Sequence, residues 1–556
     1  MNRPVALPLR PGGHTPRVAH LAPGDPTTLL TRDRRDRWRA RLDQGADLDV
    51  LVVGGGITGV GVALDAASRG LRVALVERAD LGAGTSGWSS KLVHGGLRYL
   101  ASGHVGVAWE SARERAVLAG VVAPHLIHPL PQVVPYSDAP DEPDPRLVRS
   151  GLTAADVLRA AARTPRGMLP RARALDPEHA IALVPSLAVE RVRGAMVLWD
   201  CQLEDDVRLV VAVARTAAAY GAAILTRTEV LGIGPGEARL RDGLDGSTCT
   251  VRARHIVNAT GAWAHELDDD VRLVPSRGSH VVVRSERLGN PSAALTVPVP
   301  GATGRFVFAL PQSEGLTFIG LTDVPMEGPL PPVVIPTQEE IDWILGVISP
   351  WLEVGLTRAD VIGSFAGVRP LAAPDHATPG TPAADLSRRH VVRDHGDGRI
   401  TVTGGKLTTY RRMAQDVVDR ITDVPCRTSR IAVVGVAADG ALAAVDPELP
   451  ARLVRRYGSE AGTVWSLGES RPWLREPVAE GVGVLGVELA FGVEAEGALD
   501  VDDLLARRTR LSLVPADLGA GAGRAAQVAA ACLDSGRRAT HAAHRVGRVT
   551  SADAGA

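Results

Sequence analysis

The chain has 556 residues, 45% of them hydrophobic and 22% charged, with a formal net charge of -1. That length supports two or three packed units, and the balanced charge argues against nucleic acid as a partner. Its four cysteines, Cys201, Cys249, Cys426 and Cys532, stand far apart, which excludes a readable zinc cluster or disulfide framework and fits a reducing cytoplasm.

Residues 1–46 read as a flexible leader ending in a charged helix, Thr31 to Leu42. The leader is rich in Pro, Arg and Gly and lacks the apolar core of a signal peptide. No apolar run in the chain approaches the roughly 18–20 residues that cross a bilayer. Ordered structure is expected to begin with the apolar strand Leu48 to Val53. A helix follows after Gly59, and a second strand runs from Arg72 to Glu77. This is a βαβ unit, the opening of a doubly wound parallel sheet. The Pro- and Ala-rich stretch from Pro135 to Pro185 reads as loops and short helices away from the sheet. A strand returns at Ala195–Trp199. A helix then runs from Asp206 to Tyr220, with strands at Ala223–Thr226 and His255–Asn258. Alternating polarity from Gly278 to Leu321 predicts antiparallel strands. From about Asp439 the text becomes rich in Ala, Glu and Arg and reads as a helical unit with a loose tail.

Gly54-Gly55-Gly56-Ile57-Thr58-Gly59 places G-x-G-x-x-G directly after the first strand. Gly54 permits the tight turn, Gly56 lets backbone approach a pyrophosphate, and Gly59 lets the helix pack close to the sheet. Glu77 ends the next strand, where its carboxylate can accept hydrogen bonds from a ribose. Strand, glycines, helix, strand and terminal acid in that order predict a bound dinucleotide. Thr85, Ser86, Ser89, Ser90, Lys91 and Leu92 follow in a loop dense in hydroxyls and backbone donors. Such a loop suits a second long ligand half, as in FAD, better than a nicotinamide. Of the 62 basic residues only two, Lys91 and Lys406, are lysines. Both fall in Gly/Ser/Thr-rich motifs, which suggests sites where a compact ammonium is needed and a planar guanidinium fails.

Several further blocks carry a family resemblance. They are Ser89-Ser90-Lys91-Leu92-Val93-His94-Gly95-Gly96-Leu97-Arg98-Tyr99-Leu100, Asp205 to Leu209, Asn258 to Trp263 and Arg277-Gly278-Ser279-His280. With them stand Gly320 to Asp323, Gly367 to Leu371, Gly404-Gly405-Lys406-Leu407-Thr408-Thr409-Tyr410-Arg411 and Leu504 to Leu511. From about residue 47 to about residue 530 the sequence resembles the FAD-dependent, respiratory glycerol-3-phosphate dehydrogenases, within the D-amino-acid-oxidase-like flavoproteins.

The resemblance implies an α/β fold: a Rossmann-like FAD-binding domain with an antiparallel-sheet substrate domain and a C-terminal helical cap. The FAD-binding parts are expected at about 47–135, 195–275 and 365–430, and the substrate parts at 136–194 and 276–364. The cap is expected at 431–545 and a tail at 546–556. It further implies noncovalent FAD, held also by Thr260, Gly261, Gly405, Lys406, Leu407 and Thr408. The implied substrate is sn-glycerol 3-phosphate, bound by Arg98, Tyr99, His280, Arg369 and Arg388, with the register of Arg388 open against Arg389. Its phosphate dianion calls for several converging cations. His280 either takes the hydroxyl proton, as a histidine of ordinary pKa near 6.5 can, or only positions the substrate. Lys406 and the helix start after Gly404 are expected to stabilise negative charge on reduced flavin.

Electrons are expected to pass to a respiratory quinone. The motifs leave open an oxygen-using glycerol-3-phosphate oxidase or an amine or amino-acid oxidase of the same fold. A cytoplasmic location, peripheral contact with the inner membrane face through Arg32 to Arg41, and a homodimer complete the expectations.

Overall fold

The computed structural model describes residues 18–96, 105–138, 153, 156–302, 304–372, 389–438, 446–514, 523 and 525–534. Two sheets organise it. The first has Leu48–Val53 at its centre, paired in parallel with Val73–Val76 on one side and Thr248–Asn258 on the other. Ala223–Leu225 extends it beyond Val73–Val76, and Arg399–Thr403 and Val391–Asp394 extend it beyond Thr248–Asn258. Val50, Leu51 and Val52 are wholly buried, as a parallel strand covered on both faces requires.

One face is covered by the helices Ile57–Ser68, Asp206–Ala219 and Tyr410–Val418. They sit close because Gly61 has no side chain: a Cβ there would meet the Tyr410 ring at 2.8 Å. The other face is covered by the hairpin Thr228–Gly234 and Glu237–Asp242 with the helix Arg32–Asp43. That helix is thus part of the fold, not of a leader. Arg35 and Arg39 are buried against Asp242, and Arg34 donates to the carbonyls of Thr27, Leu29 and Ala218. Three of the arginines expected to face lipid are bound to protein instead.

The second sheet has ten strands, in the order Val324–Pro325, Leu273–Arg284, Leu316–Gly320, Phe306–Pro311, Ala294–Pro298, Ile127–Tyr136, Gly194–Leu203 and Leu92–Val93. Gly363–Ala372 pairs with Leu273–Arg284, and Arg173–Leu175 with Gly194–Leu203. The sheet boundaries therefore differ from the expected ones. Ile127–Tyr136, Gly194–Leu203 and Gly363–Ala372 belong to this sheet, although the sequence placed them with the dinucleotide part. Ile127–Tyr136 was hidden by Pro129, Pro131 and Pro135. All three share one parity, so the residues between them carry the ladder to Gly194–Leu203. The helix Gln338–Ile348, started by a Thr337/Glu340 capping box, closes the core beneath.

C-terminal helices, among them Ala451–Tyr457 and Gly486–Glu494, form a third core. Buried ion pairs join it to the dinucleotide fold: Arg208 with Glu496 at 2.6 Å, Arg215 with Glu460 at 2.7 Å, and Arg508 with Asp80 at 2.6 Å. Among the described residues no helix is long and apolar enough to cross a membrane.

Candidate active site

A single cavity of about 1320 Å³ runs from Glu77 at the first sheet to the exposed face of the second. Its inner end is the glycine turn. Gly54 has φ +110°, and a Cβ on Gly59 would lie 1.9 Å from the Gly54 carbonyl oxygen. Gly56 precedes the helix Ile57–Ser68 and offers no side-chain cap, so the first amides stay open to a ligand, apart from Ile57, which donates to Ser86 Oγ at 2.9 Å. Glu77 accepts from the amides of Gly55 at 2.6 Å and Ala79 at 2.7 Å, and burial raises its carboxyl pKa. The fit to a dinucleotide is a backbone cradle that a Cβ would fill.

The loop after Glu77 is built to one shape. Asp206, fully buried, accepts from the Ser89 amide and hydroxyl and from Lys91 Nζ at 2.9, 2.9 and 2.8 Å. Thr85 donates to the Val368 carbonyl at 2.7 Å. Thr85, Ser86, Ser89, Ser90 and Leu92 line the cavity, as do Thr260, Gly261, Gly405, Lys406, Leu407 and Thr408. Lys91 departs from the expectation: its side chain is buried on Asp206 beneath the loop as an internal ion pair, and it does not line the cavity. Gly404 and Gly405 take φ +73° and +75°, and a Cβ on Gly405 would meet Met413 Sδ at 2.4 Å. This turn delivers Lys406 to the cavity, where Nζ lies 3.0 Å from Ser111 Oγ.

Beyond the loop stand two histidines in different settings. His280 is 2% exposed, with Nε2 2.9 Å from Ser90 Oγ and its ring stacked on Phe365 at 4.6 Å. Burial, then the charges of Arg369 and Lys91, lower its pKa to about 3. His94 has an open side chain, and Nδ1 faces Asp200 at 3.2 Å. Asp200 is held by Arg115 at 2.7 Å and by the amide of Gly95. Despite burial, Arg115 and His94 keep its carboxyl below the usual range. The glycines after His94 have a physical reason, because a Cβ on Gly95 would sit 2.2 Å from the Arg115 guanidinium.

Arg369 reaches the same cavity. Its guanidinium lies across Gly278, bonded to Asp323 at 3.1 Å and to the Thr322 carbonyl at 3.1 Å. Arg98, Tyr99 and Arg388 lie outside the described residues, and Arg389 is exposed.

Residues 49–411 match the family model described as FAD dependent oxidoreductase, and residues 399–535 match the C-terminal domain of alpha-glycerophosphate oxidase. The chain is 46% identical over 499 residues to glycerol-3-phosphate dehydrogenase 1 of Mycobacterium tuberculosis, covering 88% of this chain and 96% of that one. The chain belongs to the FAD-dependent glycerol-3-phosphate dehydrogenase family. The mitochondrial member from Arabidopsis thaliana is 33% identical over 553 residues, covering 90% of this chain and 85% of that one. Among solved structures, the Bacillus halodurans enzyme complexed with FAD aligns with a TM-score of 0.68 at 26% identity, over 93% of this chain and 97% of that one. The L-alpha-glycerophosphate oxidase of Mycoplasma pneumoniae shares the fold, with a TM-score of 0.53 at 18% identity over 70% of this chain and 99% of that one. The chain is thus an FAD-dependent enzyme, and the cradle around Gly54, Gly56, Gly59 and Glu77 suits that cofactor.

The His94–Asp200 pair was not legible in the sequence, because Asp200 carries no motif. Burial of a second histidine has a separate consequence. His125, wedged against Gly435 and Gly458, also has its pKa lowered to about 3, by burial and then by Arg208 and His128. The folded pKa of His125 and His280 is below the unfolded value, so the folded state binds fewer protons. Their stability contribution is full above about pH 6.5 and is lost progressively as pH falls toward 3, by about 2 kcal/mol for each at pH 5. The melting temperature is expected to drop between pH 7 and 5, and His125→Asn to reduce that drop. An identical drop in the variant counts against the assignment.

Proposed function

We propose that the enzyme oxidises sn-glycerol 3-phosphate to dihydroxyacetone phosphate and passes the two electrons to a quinone. The observation that carries this reading is one cavity joining the dinucleotide cradle to Arg369, Lys406, His94 and His280. Oxidation of the secondary alcohol removes a hydride from C2 and a proton from the hydroxyl. FAD, when bound, supplies the hydride acceptor.

Arg369 binds the phosphate dianion, which a planar guanidinium meets with paired hydrogen bonds. By the family resemblance Arg98, Tyr99 and Arg388 join it. His94 takes the hydroxyl proton: Asp200 engages Nδ1, so Nε2 is the ring nitrogen offered to a ligand, and the paired carboxylate stabilises the imidazolium that forms. His280 positions the substrate, since a group protonated only near pH 3 is a weak base. Lys406 and the amides at the start of Leu407–Thr409 favour the negative charge that accumulates beside them.

The test is anaerobic addition of glycerol 3-phosphate to the flavin-loaded protein. Bleaching of the visible flavin bands is expected. Bleaching in His94→Asn should be slower by about 10²-fold or more, the usual range for a lost general base. His280→Asn should slow it less. Absence of bleaching in the wild type rejects the substrate, and equal rates in the two variants reject the division of roles. Restoring air then separates the acceptors: slow recovery supports a quinone, and recovery at the turnover rate supports oxygen.

A further inference from the structure

The helix Val105–Val117 turns a polar face inward. Of its five buried residues, Ser111, Glu114 and Arg115 are polar. Ala108, Ser111, Ala112 and Arg115 recur at helical spacing and share that face. It lies so close to the loop that a Cβ on Gly96 would meet Ala108 Cα at 2.8 Å. Each polar residue has a partner in a different part of the site. Ser111 donates to the Val107 carbonyl at 2.8 Å, and its oxygen accepts from Lys406 Nζ at 3.0 Å. Glu114 accepts twice from Arg411, at 2.8 and 2.6 Å. Arg115 donates from Nη1 to Asp200 Oδ1 at 2.7 Å.

The two oxygens of Asp200 have different tasks. Oδ1 accepts from Arg115 and from the amides of Cys201 at 3.0 Å and Gly95 at 3.2 Å. Oδ2 faces His94 Nδ1 at 3.2 Å. Strand pairing puts Val93 opposite Cys201, so His94 and Asp200 come next and face each other. Arg115 and Asp200 are buried, and Arg115 does not line the cavity.

Resting on the role of His94 proposed above, we infer that Arg115 is a positioning residue for proton removal: it aims Asp200 at His94 and limits the charge that Asp200 presents to the base. A buried carboxylate alone against an imidazole holds the ring as imidazolium, which cannot accept a proton. A guanidinium on the other oxygen shares that charge, so the ring stays neutral at rest and the carboxylate still stabilises the cation once it forms. An ion pair that served the fold alone would not need its second oxygen turned to a cavity histidine. Among the described residues, the other groups facing the pair leave this sign unchanged. The Cys201 thiol, on the same strand as Asp200, is pushed up to about 12 by burial and then by Asp200, and stays neutral. The Phe308 ring, 6.4 Å from the His94 ring, carries no charge. Lys406 stands one helical turn away at Ser111, and Glu114 is closed on Arg411.

The test follows anaerobic bleaching by glycerol 3-phosphate from about pH 5 to about pH 9, across the range in which histidine titrates. In Arg115→Gln the acid limb of the rate profile is expected to move up by about one pH unit, the scale of one nearby charge. Gly95→Ala is expected to move it the same way, because a Cβ there would lie 2.2 Å from Arg115 Nη1 and push the guanidinium off Asp200. This variant keeps every charged side chain, so the test does not depend on Arg115→Gln folding. Arg115→Lys restores the charge, and its limb should lie within about 0.3 unit of wild type. A purely structural pair gives another pattern, with a lower melting temperature and lost flavin but the limb in place. An NMR titration of isotope-labelled histidine, with the His94 signal identified by its absence in His94→Asn, should show the same shifts without substrate. An acid limb that stays in place in Arg115→Gln and Gly95→Ala, or one that moves as far in Arg115→Lys as in Arg115→Gln, overturns the assignment. If the wild type does not bleach, or His94→Asn keeps the wild-type limb, the reading of His94 fails. The NMR titration then still decides whether Arg115 sets the state of that ring.

Discussion

Gly59→Val is expected to yield protein without bound FAD. The side chain of a residue at 59 would start 1.9 Å from the Gly54 carbonyl oxygen and 3.6 Å from the Ala259 side chain. The first obstacle is backbone, and it belongs to the turn itself, so no rotamer relieves it. The helix Ile57–Ser68 would have to move off the strand Leu48–Val53, taking the pyrophosphate-binding amides with it. Gly56 gives an internal comparison. A Cβ there would lie 3.1 Å from Ser86 Oγ, a side-chain atom that can rotate away. Gly59→Ala should therefore lose more flavin than Gly56→Ala. The ratio of visible to ultraviolet absorbance after purification, with the melting temperature as a fold control, measures this. Wild-type occupancy in Gly59→Ala would show that the close helix packing is not what holds the cofactor.

Arg369→Ala should keep its FAD and lose glycerol 3-phosphate turnover. Removing one charged partner from a desolvated phosphate site costs about 3–4 kcal/mol, or roughly 10²–10³ in kcat/KM. The bond to Asp323 at 3.1 Å offers a competing account, in which Arg369 only neutralises that carboxylate. Arg369→Lys separates the two. A lysine keeps the charge near Asp323 but cannot make the paired contact to phosphate. Recovery of most activity in the lysine variant would favour the neutralising role. A loss close to that of alanine supports phosphate binding.

What was legible in the sequence was local. The dinucleotide unit declared itself because strand, glycines, helix and Glu77 lie within 30 residues, from Leu48 to Glu77. The turn before Lys406 was legible because two successive positive φ angles require Gly404 and Gly405. What was missed depends on distant partners. Asp200 reaches His94 from 106 residues away, and Asp206 takes Lys91 out of the cavity from 115 residues away. Prolines concealed Ile127–Tyr136, since a strand that bonds through alternate residues does not look like one. The charged helix Arg32–Asp43 read as the end of a leader because Asp242, its buried partner, lies in a hairpin far along the chain. Arg98, Tyr99 and Arg388, which carry much of the expected substrate contact, lie outside the described residues.

The fate of the two lysines has a practical side. Lys91 is sealed against Asp206, and Lys406 is on the cavity wall. Every other basic side chain that could offer a cation at the surface is an arginine or a histidine. Amine-directed reagents, which decorate most proteins indiscriminately, thus find on this one an α-amino group and a single interior amine. Covalent labelling becomes a report on whether the cavity is open, with the bulk of the surface silent.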